Sequence, residues 1–109
     1  MTVSRLAESC KFGVCSLPDG NREVTGAYAG DLLSWVMGRA GVDSAWITIM
    51  SNVNVVAVAS LSDVSCVILA EGVSPDSDLT ALAEEKGINI LTSALPAYET
   101  AIRISRFLK

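Results

Sequence analysis

Hydroxyl and amide side chains follow the apolar runs of this sequence, and these groups have the type and position to bind a ligand. Thr48 lies near the end of one apolar run, Asn52 and Asn54 precede a further apolar segment, and Thr92 follows the last run. Backbone N–H groups at the start of a helix attract anions, so these residues predict a site for a phosphate-bearing molecule. The alternative is structural: the asparagines cap a helix, and the threonines belong to a strand or a cap.

A second polar group surrounds a glycine in the first third of the chain, where Thr25 and Gly26 precede Tyr28 and Asp31. Glycine lets a ligand or a partner backbone approach closely, and Asp31 can orient a hydroxyl or an amine. The alternative is that Gly26 allows a bend and Asp31 caps a helix. A single carboxylate without a second titratable partner is poorly suited to acid–base chemistry.

The residue types in this sequence argue against catalysis and against metal binding. Histidine is absent, which removes the usual general base at neutral pH and a common zinc ligand. Cys10 and Cys15 have no metal-binding spacing, and Cys66 lies in an apolar run typical of a buried strand. An enzyme that used Cys15 or Asp31 as its nucleophile would lack a base to activate it. We therefore predict no catalytic residue, no metal and no cofactor.

The composition excludes several classes of protein. A chain of 109 residues forms one domain, and a hydrophobic content of 50% is too high for a disordered segment. The apolar runs are shorter than the roughly 18 residues that cross a bilayer. A net charge of −4 with scattered basic residues argues against nucleic-acid binding. Residues 1–10 do not resemble a secretory signal, and three cysteines are an odd number for a disulfide framework, so we expect a cytoplasmic protein.

The first half of the chain contains two predicted helices and two predicted extended segments. Val3, Leu6 and Ala7 have helical spacing, so residues 2–9 are expected to form an opening helix. Residues 12–17 and 22–28 are expected to be extended, on either side of a Pro-Asp-Gly-Asn turn. A helix is expected over residues 31–40, with Asp31 as its N-cap and Gly41 as a left-handed C-cap.

From residue 45 onward, apolar runs alternate with helical stretches. Strands are predicted over residues 45–50, 64–69 and 88–91. Helices are predicted over residues 55–61, over residues 75–86 and from Pro96 onward. The second of these is expected to have Pro75 in its first turn and Gly87 at its end. In the third, Tyr98 is expected on the apolar side and Lys109 near the end. Residues 55–61 are β-rich by propensity. A helix is nevertheless predicted there, because a crossover is needed between parallel strands.

This alternation predicts an α/β fold: a single-domain three-layer α/β/α sandwich with a mainly parallel sheet of about four to five strands. Ligands of such sheets bind beyond the carboxyl ends of the strands, which is where Thr48 and Thr92 would lie. Residues 71–74 also lead to this edge, and they have the composition of a turn followed by a helix cap.

The predicted helix over residues 31–40 carries a wide apolar face, because Trp35 lies beside Leu32 and Val36. A helix that is apolar on more than half of its circumference is either deeply buried or covered by another subunit. We expect Leu32, Trp35 and Val36 to form a homodimer interface; the alternative is that Trp35 belongs to the core.

The sequence resembles DRTGG domains in several separated blocks: residues 22–28, Asp31-Leu32-Leu33-Ser34, Val36-Met37, Trp46-Ile47-Thr48, residues 54–59, Glu71-Gly72, Leu82-Ala83 and Gly87-Ile88. It departs from the family pattern at Asn21, which replaces the aspartate of the naming motif, and at Ala27, which replaces its second glycine. The resemblance implies a regulatory module without an established reaction of its own. DRTGG domains occur fused to CBS domains, in phosphotransacetylase-type proteins, and as small proteins encoded near iron-only hydrogenase genes.

Two functions remain open from the sequence. The first is a non-catalytic regulatory domain that forms a homodimer and binds a small, phosphate-bearing ligand. The second is a protein-interaction subunit of a redox complex, such as an iron-only hydrogenase system, with no small ligand. The acidic charge and the apolar face around Trp35 suit the second function, whereas the polar strand-end residues suit the first.

Overall fold

A computed structural model describes residues 1–108, so the predicted place of Lys109 at the end of the last helix lies outside the described residues. Helices and strands alternate along most of this part of the chain. The elements are α1 (Val3–Cys10), β1 (Gly13–Ser16), β2 (Gly26–Ala29), α2 (Leu33–Arg39), β3 (Ser44–Thr48), α3 (Asn54–Ser62), β4 (Cys66–Leu69), α4 (Ser77–Lys86), β5 (Ile90–Thr92) and α5 (Ala97–Ser105).

The strands form one five-stranded sheet in the order β1-β5-β4-β3-β2. Strands β2 to β5 pair in parallel in their sequence order, and the helix between each pair provides the crossover. The exception is β1, which pairs antiparallel with β5 at the sheet edge, with Gly13 opposite Thr92. The prediction of a mainly parallel sheet is confirmed, and the predicted strand over residues 12–17 joins this sheet.

Helices cover both faces of the sheet. Alternate residues of β3 point to opposite sides, so Ala45 and Ile47 pack beneath α1 and α5, while Trp46 packs beneath α2, α3 and α4. All residues of β3 and β4 are buried, as expected for strands covered on two faces. The predicted three-layer α/β/α sandwich is therefore confirmed.

The start and end of α2 differ from the expectation. Leu32 is the N-cap residue, and its aliphatic side chain cannot make a capping hydrogen bond. The Asp31 carboxylate instead accepts a hydrogen bond from Thr48 on the neighbouring strand. At the other end, Ala40 is extended, and Gly41 is not among the glycines with positive φ. The predicted caps Asp31 and Gly41 are therefore wrong, and the helix is shorter than residues 31–40.

The apolar residues of α2 divide between two faces. Val36 is fully buried in the core, and Leu33 packs partly against the same cluster. Leu32 is 56% exposed and Trp35 is 52% exposed. Val36 therefore does not lie on the protomer surface, which corrects its predicted place in a subunit interface, and the alternative that Trp35 is a core residue is also wrong.

The later helices follow the prediction more closely. Residues 55–61 are helical within α3, which confirms the crossover interpretation. The chain leaves α4 through Gly87 in the left-handed conformation, as predicted, but Pro75 lies before the helix, whose N-cap is Asp76. In α5 the predicted apolar side is partly wrong, because Tyr98 is 75% exposed.

Candidate functional site

The carboxyl ends of β2 to β5 lie along one edge of the sheet because these strands are parallel. Of the residues predicted to bind a ligand, this edge carries Asp31 after β2, Thr48 at the end of β3, Asn52 and Asn54 at the start of α3, and Thr92 at the end of β5. Thr25 and Gly26 lie at the opposite end of β2.

Asp31 and Thr48 form one hydrogen-bonded unit. The Thr48 Oγ1 donates to Asp31 Oδ1 at 2.7 Å, and the backbone N–H of Ile49 donates to the same oxygen at 2.9 Å. The backbone N–H of Met50 donates to Thr48 Oγ1 at 3.2 Å. These bonds tie the loop after β2 to the loop after β3, so both side chains fix the shape of the edge.

Asn52 shapes the start of α3. Its Oδ1 accepts the backbone N–H of Asn54 at 2.9 Å, a local bond that asparagine commonly makes before a helix. This contact is the one expected from the structural alternative for Asn52. The side chain of Asn54 lies at an exposed position in the first turn.

A cavity of about 290 Å³ opens between the ends of β4 and β5. The loop after β4 contributes one wall, and the end of β5 with its following loop contributes the other. The lining residues are Gly72, Val73, Ser74, Pro75, Thr92, Ser93 and Ala94.

Backbone hydrogen bonds hold the two walls of this cavity together. The N–H of Gly72 donates to the carbonyl oxygen of Ser93 at 3.0 Å, and the N–H of Glu71 donates to that of Leu95 at 2.8 Å. Glu71 and Gly72 both have positive φ, which directs the chain sharply away from β4. Residues 71–74 were predicted to lead to this edge but were interpreted as a turn and a cap, so Gly72 and Ser74 were not among the predicted ligand-binding residues.

The lining of the cavity carries hydroxyl and backbone groups and no charged side chain. The nearby Glu71 carboxylate is directed to α5, where its Oε2 accepts the N–H of Ala97 at 3.0 Å. The Ser93 hydroxyl is bonded to Thr100 Oγ1 at 2.8 Å. Ser74 and Thr92 are therefore the side chains best placed to contact a ligand in this cavity.

Thr25 and Gly26 line a separate cavity of about 270 Å³ between the start of β2 and α5. The N–H of Thr25 donates to the carbonyl oxygen of Asp43 at 2.9 Å. Because β2 runs between these residues and Asp31, the structure does not bring the predicted group of Thr25, Gly26 and Asp31 together.

An arginine cluster at the opposite edge was not predicted. The Arg22 Nη2 donates to Asp43 Oδ1 at 3.0 Å and to Asp63 Oδ1 at 2.8 Å. Burial alone would lower the pKa of Arg22, but the hydrogen bonds to the two aspartates raise it above its ordinary value. The two aspartates are distant in sequence from Arg22, so no local motif marks this cluster, and its contacts join the turns at the beginnings of the strands.

The cysteines are separated from one another and from the cavity. Burial raises the pKa of Cys66 to about 12, and it also raises the pKa of Cys10. Cys15 Sγ lies 3.0 Å from Thr80 Oγ1. Within residues 1–108, no group of three or more cysteine or acidic side chains is arranged to hold a metal ion.

The helices α1 to α5 have 7 to 10 residues each. None of those within residues 1–108 combines the length and the apolar character needed to cross a bilayer.

The fold is similar to that of a solved regulatory region. This is the crystal structure of the CBS and DRTGG domains of the regulatory region of Clostridium perfringens pyrophosphatase, complexed with its activator diadenosine tetraphosphate. The TM-score is 0.76 at 12% sequence identity, and the match covers 98% of this chain and 47% of the other. The chain thus spans about half the length of that structure, and no curated protein matches it. A family model described as the DRTGG domain matches residues 31–107, so this chain belongs to the DRTGG domain family.

Proposed function

We propose that this chain is a non-catalytic regulatory domain of the cytoplasm that forms a homodimer and binds a small phosphate-bearing ligand at the carboxyl edge of its sheet. The observation that carries the proposal is the match of nearly the whole chain to the fold of a DRTGG-containing regulatory region solved with a dinucleotide activator. The absence of histidine supports a role without catalysis.

The cavity between β4 and β5 supports the location of this ligand. It lies beyond the carboxyl ends of two adjacent parallel strands, where α/β sheets commonly bind ligands. Its volume of about 290 Å³ is near the lower end of the range for small-molecule sites. We therefore expect it to hold the phosphate end of a ligand, with the hydroxyls of Ser74 and Thr92 as hydrogen-bond partners.

Diadenosine tetraphosphate, ATP and AMP are suitable probes of this proposal in a thermal-shift measurement. A ligand at about 100 times its Kd stabilises the folded state by about 2.7 kcal/mol. For a domain of this size, we expect the melting temperature to rise by roughly 10 °C with at least one of these probes. No rise with any of the three would contradict ligand binding.

The variant Thr92→Val tests the location, because it removes one hydroxyl from the cavity with little change in volume. We expect it to reduce the thermal shift substantially. Ser60→Ala is the matched control, since it removes an exposed hydroxyl from α3, outside the cavity. If the ligand raises the melting temperatures of the two variants equally, the ligand binds outside this cavity.

The exposed apolar side chains of α2 and its N-cap residue support the homodimer. Leu32 and Trp35 are each about half exposed, and the Arg39 guanidinium lies 3.8 Å from the centre of the Trp35 ring. An arginine stacked on one face of a tryptophan leaves the rest of the ring available to a partner. Trp and Arg are also the residues most enriched among those that dominate binding energy in interfaces.

Sedimentation equilibrium tests this interface. We expect the chain to sediment at twice its mass of 11.4 kDa and Trp35→Glu to sediment as a monomer. The free energy of unfolding of the dissociated protomer should change by less than about 0.5 kcal/mol, because Trp35 is a surface residue. Leu61→Glu places the same charge at a 76% exposed position of α3 and should leave the dimer intact.

The same surface also suits the second candidate, a protein-interaction subunit of a redox complex. A monomeric chain that gives no thermal shift with any phosphate probe would favour this function over the first. In that case, capture of a redox partner should be lost in Trp35→Glu and kept in Leu61→Glu.

A further inference from the structure

Three cationic side chains converge where the end of α1 approaches α5. Two adjoining cavities of about 240 Å³ each share Arg103 and Arg106 in their walls. One cavity extends toward Ile102, and the other extends toward Lys11 and Phe107. We call these two cavities together the α1–α5 groove.

This concentration of positive charge is unusual in an acidic chain with 8 basic and 12 acidic residues. Elsewhere in the structure, Arg22 is paired with two aspartates and Arg39 is stacked on Trp35. Within residues 1–108, by contrast, no carboxylate lies within 4.0 Å of the charged groups of Lys11, Arg103 or Arg106. Glu99, on α5, is the acidic side chain in the wall of the groove.

The end of α1 positions Arg103 through a hydrogen bond and carries Lys11 as its C-cap residue. Arg103 Nη1 donates to the carbonyl oxygen of Cys10 at 3.0 Å, which fixes the guanidinium between α1 and α5. Lys11 is the C-cap residue of α1 and has a φ of 58°, a conformation that glycine adopts more easily. A lysine at this position lines the same cavity as Arg103 at the cost of some backbone strain.

We propose that the α1–α5 groove binds a small molecule with two or more linked phosphate groups. Arginine and lysine recognise phosphate oxygens through charge-assisted hydrogen bonds. The two adjoining cavities share the arginines, so a chain of phosphates can span them, while Ile102 and Phe107 provide apolar walls for an organic part of the ligand. The groove shares no lining residue with the cavity between β4 and β5, so this inference goes beyond the proposed function and does not depend on it.

Calorimetric titration of the full chain with inorganic tripolyphosphate at low salt tests the groove directly. We expect a single binding event that weakens as salt is added, because exposed charge pairs are screened. The double variant Lys11→Gln, Arg106→Gln should weaken binding at least about tenfold, since it removes two charged donors at exposed positions. No binding to the unmodified chain would overturn the proposal.

The matched control is the double variant Arg5→Gln, Lys86→Gln, which removes the same charge at exposed positions outside the groove. We expect it to retain binding within about threefold. An equal loss in both double variants would overturn the proposal, because the effect would then come from net charge. Inorganic phosphate should bind at least about tenfold more weakly than tripolyphosphate, and equal affinity would exclude recognition of linked phosphates.

Two further titrations identify the source of the phosphate groups and the cavity that binds them. ATP that binds more tightly than tripolyphosphate would support a nucleotide as the source of the phosphates, and similar affinities would support recognition of the phosphate chain alone. Thr92→Val should leave tripolyphosphate binding unchanged. If Thr92→Val abolishes it while the Lys11 and Arg106 variant keeps it, the groove proposal fails and the cavity at the carboxyl edge stands.

Discussion

Replacing Trp46 with alanine is expected to lower the free energy of unfolding by about 3–5 kcal/mol. The Trp46 side chain on β3 is fully buried in the cluster beneath α2, α3 and α4. Its Nε1 donates to the carbonyl oxygen of Gly30 at 2.8 Å, which ties the end of β2 to β3. The substitution therefore creates a cavity and also removes a partly buried hydrogen bond. Urea denaturation at neutral pH measures the loss.

Two variants separate these contributions. Trp46→Phe retains an aromatic ring but loses the indole N–H, so we expect a loss of about 1–3 kcal/mol. Tyr98→Ala removes an aromatic ring that is 75% exposed on α5 and should change the free energy of unfolding by less than about 0.5 kcal/mol. A loss below about 1 kcal/mol for Trp46→Ala would contradict the position of Trp46 in the core.

The stability of the chain is expected to decrease above pH 9 because of Cys66. Burial raises the pKa of this thiol from the ordinary value of 9.0 to about 12 in the folded state. Below pH 9 both the folded and the unfolded states hold the proton, so the full stability is present. As the pH rises from 9 toward 12, the unfolded state loses the proton first. The free energy of unfolding then falls by about 1.4 kcal/mol per pH unit, or about 4 kcal/mol over the whole interval.

The contribution of Cys66 is isolated by comparison with Cys66→Ala, which has no thiol at this position. Urea denaturation of both proteins from about pH 8 to about pH 10 avoids complete base denaturation. As the pH rises, we expect the free energy of unfolding of the unmodified chain to fall relative to that of Cys66→Ala. Parallel pH curves would show that Cys66 titrates normally and is accessible to water. Native-state alkylation by iodoacetamide should likewise spare Cys66 and modify the half-buried Cys15 first.

The layer architecture could be predicted from sequence because each crossover unit carries its own local signals. The apolar run around Cys66 has the composition of a strand that is buried on both faces. Gly87 marks the end of α4 because a left-handed residue commonly terminates a helix. Residues 55–61 were ambiguous by propensity, and the requirement for a crossover between parallel strands decided the assignment correctly.

The details of α2 could not be predicted because they depend on contacts between segments. A local rule assigns Asp31 as a cap, but Thr48 and the N–H of Ile49 from the next strand bind its carboxylate instead. Apolar spacing alone placed Leu32 and Val36 on one face. In the structure, the later start of the helix directs Val36 into the core and leaves Leu32 exposed.

The candidate site was predicted in part. The position of Thr92 at the carboxyl edge follows from its place at the end of a parallel strand. Its neighbours Gly72 and Ser74 belong to a segment with the composition of an ordinary turn. Only the pairing of β4 with β5 shows that this turn forms a wall of the same cavity.

The helices α1 and α5, at the two ends of the described chain, cover the same face of the sheet. This arrangement determines when each face can be covered while the chain is being synthesised. The face beneath α2, α3 and α4 can close in sequence order, as each helix leaves the ribosome after the strand that it covers. The other face cannot be fully covered until α5 has been synthesised, because the hydrogen bond between Arg103 and Cys10 joins residues 93 positions apart. Proteolytic removal of either terminal helix would therefore expose the same apolar surface, and we expect both truncated chains to aggregate and to require chaperones.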